Sequence, residues 1–439
     1  MSPSILDAID SVYFLMFPGW KNELRSNRWH YAKRWARHRA VVLVQPDQPK
    51  GRFGIPEPEL RIPNCTILSV RRPSGGSQYE DDPARTASQL AKHMLDSGHR
   101  RPLLWFYNPW LFPAFAALPA VARVYHASEN YFDFEGTEPY FTKSFARALA
   151  LADRVIAVSS GVARGITENV PESKVIEVPN GCDYEEYAQG RPSPTLASRR
   201  AGFSRIAIYA GFVNDRIDFE LFGLCAARFS DTLFVVYGPV VGLDGADEAR
   251  WNALLERKNV RYFGRVDPAE LPHLYAAAEV GLIPYKRTPM IENNGFPLKA
   301  LEMTATGLPV VSTYMRPLEA IEDVIALGRD HEGFLELLRD RSRSTLTTEQ
   351  RARMEARARE RDYEAAFARV LDELSSLGAG SPRTRLDALA ETIPSENLLA
   401  SIVRFGEPCS ATVERCMKSA AVGAFGRARQ AAVKRWIPG

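Results

Sequence analysis

Short apolar runs alternate with segments of helical spacing twice over along this chain. In the first series VYFLMF (12–17), AVVLVQ (40–45), TILSV (66–70), LLWFY (103–107), ARVYHAS (122–128) and RVIAVS (154–159) are predicted strands, and VIEVPNGCD (175–183) closes it. The second series is RIAIYAG (205–211), LFVVYGP (233–239), VRYFGRV (260–266), VGLIPYK (280–286) and LPVVSTY (308–314). Such runs, with helices between them, form mostly parallel sheets covered on both faces, and their ligand loops lie at the carboxyl ends of the strands. Between the series, QGRPSPTLASRRAGFS (189–204) has no hydrophobic period and reads as a linker. At 439 residues the chain exceeds one ordinary core. The expected class is therefore α/β, with one doubly wound domain over 1–188, a linker over 189–204 and a second doubly wound domain over 205–345. Thr347 and Gln350 form a capping box, and Tyr363, Phe367, Val370, Leu371 and Leu374 then make an apolar stripe before Gly378. That pattern predicts one long packing helix within 346–378, followed by a basic tail over 379–439.

Apolar residues are 45% and charged residues 25% of the chain, a globular composition, and no run approaches the roughly 18 apolar residues of a membrane span. MSPSILDAIDSVYFLMF carries acids before its apolar run and no basic stretch, which argues against a secretory signal. Five scattered cysteines, Cys65, Cys182, Cys225, Cys409 and Cys416, form no CxxC pair, so disulfides and zinc are not expected and a reducing cytoplasm is. Residues 415–439 hold six basic side chains and no acid, so the net +3 of the whole leaves −3 for the rest. Charge gathered at one end argues against a nucleic-acid enzyme. Over 413–437, Val413, Cys416, Met417, Ala420 and Ala421 recur at helical spacing beside basic residues, with Phe425, Trp436 and Ile437 nearby. This pattern fits an anionic membrane surface, although Gly423 and Gly426 disfavour a helix and a disordered basic tail fits as well.

ENNGFPLKALEMTATGLPVVST (292–313) is a loop, a helix and a strand. Asn293, Asn294 and Gly295 form turns, Pro297 suits a first helical turn, and Gly307 stops the helix. Lys299 and Glu302 then share one side of the first turns, where free N–H groups and the helix dipole favour an anion. A solvated surface lysine is the plain alternative for Lys299. The loops after the first strands, FPGWKNELRSNRW and YAGFVNDRID, lack GxGxxG, which disfavours a dinucleotide dehydrogenase.

Four ordered segments carry a resemblance: VPNGCDYEEY (178–187), IYAGFVNDRIDFELF (208–222), VRYFGRVDPAELPHLYAAAEVGLIPYK (260–286) and FPLKALEMTATGLPVVST (296–313). Over roughly residues 10 to 375 the chain resembles the GT-B glycosyltransferases, in particular family 4 and the bacterial exopolysaccharide transferases related to the xanthan glucuronosyltransferase. The resemblance implies two Rossmann-like domains facing across a cleft, the first on the acceptor side and the second binding a nucleotide sugar, with no cofactor and no metal. It implies that Glu302 accepts from both ribose hydroxyls, as the second of two glutamates with seven residues between them. Asn294 stands where the first would be, and Glu292 is two residues out of register. Lys299 matches a proline-x-lysine diphosphate contact. Gly211 lets backbone approach phosphate, and Arg216 adds charge, one residue from where relatives place a basic side chain; a surface ion pair is its alternative. Arg265 and Val266 resemble the segment whose backbone reads the base, or are a plain strand end, and Asn294 and Gly295 line the donor loop.

In the first domain, relatives carry two aspartates where this chain has His126 and Glu129, with Asp133 following. For an inverting enzyme one carboxylate must deprotonate the acceptor hydroxyl, with Glu129 the first choice and Asp133 the second. The alternative is that these acids cap a helix or pair with nearby arginines. His126 is either an acceptor-side group or a bonded strand-end histidine. Trp20, Trp29 and His30 flank the first loop and line an acceptor pocket or belong to the core. The expected activity is sugar transfer from a nucleotide diphosphate sugar to a hydroxyl of a glycan or lipid-linked acceptor, by a cytoplasmic enzyme peripheral to the inner membrane face. A GT-B sugar-nucleotide epimerase and an inactive nucleotide-sugar-binding partner of a polysaccharide assembly complex are the competing expectations.

Overall fold

The computed structural model describes residues 4–15, 20, 23, 25–46, 56–57, 62–70, 83–107, 115, 118, 120–133, 139–200 and 202–377. The basic tail, with the membrane contact expected of 413–437, lies outside the described residues. Fourteen strands occur among them: β1 Ser11–Leu15, β2 Ala40–Pro46, β3 Pro56–Glu57, β4 Cys65–Val70, β5 Pro102–Phe106, β6 Ala122–Ala127, β7 Arg154–Ala157 and β8 Val175–Glu177 come first. β9 Arg205–Ala210, β10 Thr232–Tyr237, β11 Val260–Tyr262, β12 Val280–Ile283, β13 Val310–Thr313 and β14 Ile325–Gly328 follow. They form two sheets, ordered β3-β4-β2-β1-β5-β6-β7-β8 and β11-β10-β9-β12-β13-β14. Every pairing is parallel except that of β3 with β4. In β1, β5 and β10 every residue is buried, so side chains of both faces meet apolar cores and the strands read as unbroken apolar runs.

β14 escapes sequence reading because IALG is short and has a single β-branched residue. The expected long helix is two, Thr348–Glu360 and Tyr363–Ser375. The capping box of Thr347 and Gln350 is present. Between the helices the backbone turns to pair with the first domain: Tyr363 N–H donates to the Cys182 carbonyl at 3.0 Å and Cys182 N–H to that of Arg361 at 3.2 Å. Asp362 caps the second helix by accepting from Glu364 N–H and holds Tyr184 N–H at 2.8 Å. Tyr363, Phe367, Val370 and Leu374 then pack with Val12, Phe14, Trp35 and Trp105. A helix that follows the second sheet thus completes the first domain's core. No helix among the described residues is long and apolar enough to cross a membrane.

Candidate active site

The chain order of the second sheet reverses between β9 and β12, and the loops leaving these two strands bound a crevice of the kind in which open α/β sheets bind ligands. The loops are laced together. Ile217 bridges Tyr285, Asp218 N–H donates to the Pro284 carbonyl and Lys286 N–H to the Arg216 carbonyl, both at 2.8 Å. Gly211 leaves β9 with φ at 147°, and a Cβ there would lie 2.3 Å from Lys299 Nζ. Only glycine keeps this backbone bare beside the lysine. Lys299 comes from the first turn of helix Leu298–Ala305, for which Pro297 is the N-cap rather than a helical residue, and Asn293 and Asn294 close a short helix, Pro289–Asn294, instead of a turn.

Lys299 is 8% exposed, which rules out the solvated-lysine alternative. Its Nζ stands 3.9 Å from the centroid of Tyr209 and 5.3 Å from that of Tyr285, and it hydrogen-bonds the Tyr285 phenol. Burial alone would raise that phenol's pKa, but the charge and hydrogen bond of Lys299, with Arg216 beside them, pull it below the ordinary range. Glu302, one turn on, is 7% exposed. Burial pushes its carboxyl up to about 7, against a hydrogen bond from Tyr187 and the charge of Lys299. Arg25 of the first domain adds positive charge beside it. Arg25 has φ at 58°, uncommon for a non-glycine residue, is ion-paired to Glu186 and lies 4.8 Å over Trp29. Sequence reasoning missed Arg25, Tyr187, Tyr209 and Tyr285. Each lies inside a stretch singled out above, but nothing in their spacing marks them.

The loop after β6 reaches the second domain. Glu129 Oε1 accepts from Arg216 Nη2 at 2.7 Å, so the ion-pair alternatives weighed for these two residues describe a single contact between them. Asp133, in the turn Tyr131–Asp133, accepts from Asn294 Nδ2 at 2.7 Å. Ser159, the N-cap of helix Ser160–Thr167, donates to the Asn294 carbonyl at 2.9 Å, and Asn180 Nδ2 donates to that of Phe296 at 2.8 Å. Gly161 lets the domains touch, since a Cβ there would fall 1.6 Å from the Asn293 carbonyl oxygen.

The three residues expected on the acceptor side are core instead. Trp20 is 3% exposed and packs among Phe14, Trp105 and Tyr107. His126 stacks on Tyr107 at 4.9 Å and lies against Tyr31 and Trp105, and burial lowers its pKa to about 3. His30 stacks on Tyr363 at 4.1 Å. Burial lowers the His30 pKa, against the pull of the Asp183 carboxylate 3.3 Å from its Nδ1, while Arg34 and Lys33 balance that carboxylate. Burial would raise Asp183, yet these partners hold it well below the carboxylate range. His126 at the end of β6 and His30 in helix Asn27–Trp35 turn inward, into the aromatic cluster between the first sheet and helix Tyr363–Ser375. Gly295 lies against Met315, while Arg265 and Val266 follow β11, the former exposed and the latter packed on the second core.

The family described as Glycosyl transferases group 1 matches residues 209–341. A protein of Bacillus subtilis (strain 168) described as a teichuronic acid biosynthesis glycosyltransferase, TuaH, is 28% identical over 170 residues, 38% of this chain and 42% of that protein's length. Among solved structures, sucrose-phosphate synthase from Thermosynechococcus elongatus superposes with a TM-score of 0.63 at 16% identity, covering 84% of this chain and 99% of the other. Anabaena HepE in complex with UDP-glucose gives 0.61 at 15% identity, covering 83% and 99%. The chain therefore has the GT-B fold, and residues 209–341 of its second domain match the Glycosyl transferases group 1 family model.

Proposed function

We propose that this protein is a metal-independent glycosyltransferase that moves a sugar from a nucleoside diphosphate sugar to a hydroxyl of a glycan or lipid-linked acceptor in surface polysaccharide synthesis. The observation that carries this reading is the pair Lys299 and Glu302, both buried, one turn apart beside bare backbone at Gly211. Lys299 neutralises the diphosphate as the glycosidic bond breaks, an electrostatic stabilisation of charge that develops in the transition state. Glu302 accepts from the ribose hydroxyls. Glu129, or failing it Asp133, removes the acceptor proton from the opposite side of the cleft. The UDP-glucose complex of HepE supports a nucleoside diphosphate donor, and the likeness to TuaH supports the polysaccharide setting. A thermal-shift screen against nucleoside diphosphates and nucleotide sugars tests the reading, because a ligand of the native state raises its melting temperature. A panel without any shift would refute it. A donor that binds and is never transferred would mark an inactive binding partner instead.

Glu302→Gln is expected to weaken nucleotide-sugar binding by about 1.5 to 3 kcal/mol, the cost of a lost charged hydrogen bond, as read by calorimetry. The pH dependence adds an independent check. Ribose hydroxyls donate to the ionised carboxylate, whose pKa burial has raised to about 7 in the free protein. Binding therefore releases a proton, strengthens as pH rises toward 7 and levels off above it. Affinity independent of pH from 5 to 8 in the wild type removes the ribose role.

Residues 413–437 of the tail are assigned to an anionic leaflet beside a lipid-linked acceptor, on composition alone. Its six basic residues over 415–439 contribute about 1 kcal/mol each near such a surface. The full chain should co-sediment with anionic vesicles at low salt and dissociate as salt rises. Equal sedimentation after deletion of residues 380–439 would discard this assignment.

A further inference from the structure

We propose that Arg216 is a positioning residue that holds Glu129 neutralised across the cleft until a nucleoside diphosphate takes the guanidinium, so that donor binding precedes activation of the acceptor. This rests on the reading of Glu129 as the base. Among the described residues two carboxylates of the loop after β6 meet the second domain, and their partners differ in kind. Asp133 accepts from the neutral amide of Asn294, whose side chain is buried and whose carbonyl is held by Ser159. A phosphate has no charge to exchange for that amide. Glu129 instead accepts from the Arg216 guanidinium at 2.7 Å, a pair with the Glu129 side chain 25% and the Arg216 side chain 42% exposed, and so open to competition from solvent and ligand.

The position of Arg216 makes such competition specific. Its backbone is fixed by the Lys286 N–H and by the neighbouring bridge of Ile217 to Tyr285. Its charge acts on Tyr285, the phenol that also hydrogen-bonds Lys299. Arg216 and Lys299 thus both act on Tyr285, in the loop that leaves β12. A diphosphate seated on Lys299 presents more than one negative charge to Arg216, whereas Glu129 presents one, and an arginine fork matches phosphate geometry. As the guanidinium turns to the phosphate, Glu129 loses its counter-charge and its carboxylate becomes free to accept a hydroxyl proton. No bond is made or broken in this step, only one ion pair exchanged for another.

Calorimetric titration of UDP and GDP into the wild type, Glu129→Gln, Arg216→Met and the double variant tests the exchange. Both positions are partly exposed, and Glu129→Ala serves as a second variant should the glutamine form fail to fold. With the competitor gone, Glu129→Gln is expected to bind the nucleotide about two- to fivefold more tightly, the range of a partly exposed ion pair. In the Arg216→Met background the same change should have no effect, and Arg216→Lys should restore part of the coupling. Equal tightening in both backgrounds would show plain repulsion between Glu129 and phosphate and overturn the inference, as would no tightening in either. If neither nucleotide binds the wild type, the proposed function itself falls and the inference with it.

Discussion

The Lys299→Met protein is expected to transfer sugar about 10²- to 10³-fold more slowly than the wild type, the scale of removing one group preorganised toward developing charge. Methionine keeps the length of the stem, so the change removes the ammonium that lies 3.9 Å from the Tyr209 centroid and little packing. The loss should fall mainly on kcat, because the charge on the leaving diphosphate grows as the glycosidic bond lengthens. Steady-state rates with the donor named by the thermal-shift screen provide the measurement, with an unchanged melting temperature as the folding control. A rise in KM at constant kcat would make Lys299 a ground-state contact only. Unchanged kinetics would return it to a structural role under Tyr209 and Tyr285.

Glu129→Gln is expected to lower transfer by at least about a hundredfold, the usual scale for loss of a general base, while nucleotide binding is no weaker. The carboxamide keeps the shape of the side chain and cannot take a proton. Turnover and calorimetry on one preparation separate the two effects. Should Asp133→Asn show this pattern and Glu129→Gln not, the base is Asp133. That outcome has a structural basis, since Asp133 faces the cleft with a neutral partner.

The fold was legible wherever a residue's fate depends on its neighbours in sequence. Strands such as LFVVYGP announce themselves because both faces are buried, and the helix from Leu298 places Lys299 and Glu302 one turn apart whatever surrounds it. Gly211 was legible for the same reason, as a single glycine at the end of the first strand of the second series. The four-residue β14 was not, because so short a run is an apolar stretch like many others until β13 pairs with it. Tertiary structure alone decided that His30, His126 and Trp20 are core. A strand-end histidine points at solvent or at aromatic rings depending on the helix that crosses it, and that helix, Tyr363–Ser375, is supplied from the far end of the chain. Tertiary structure also broke the expected long helix, since Cys182 takes the backbone of residues 361–363 that a continuous helix would use. The pairing of Arg216 with Glu129, 87 residues apart, exists only once two sheets face each other. Local periodicity determines which elements form and which side of each carries charge. Which charges meet, and how deeply they are buried, follows from the closure of one domain on the other.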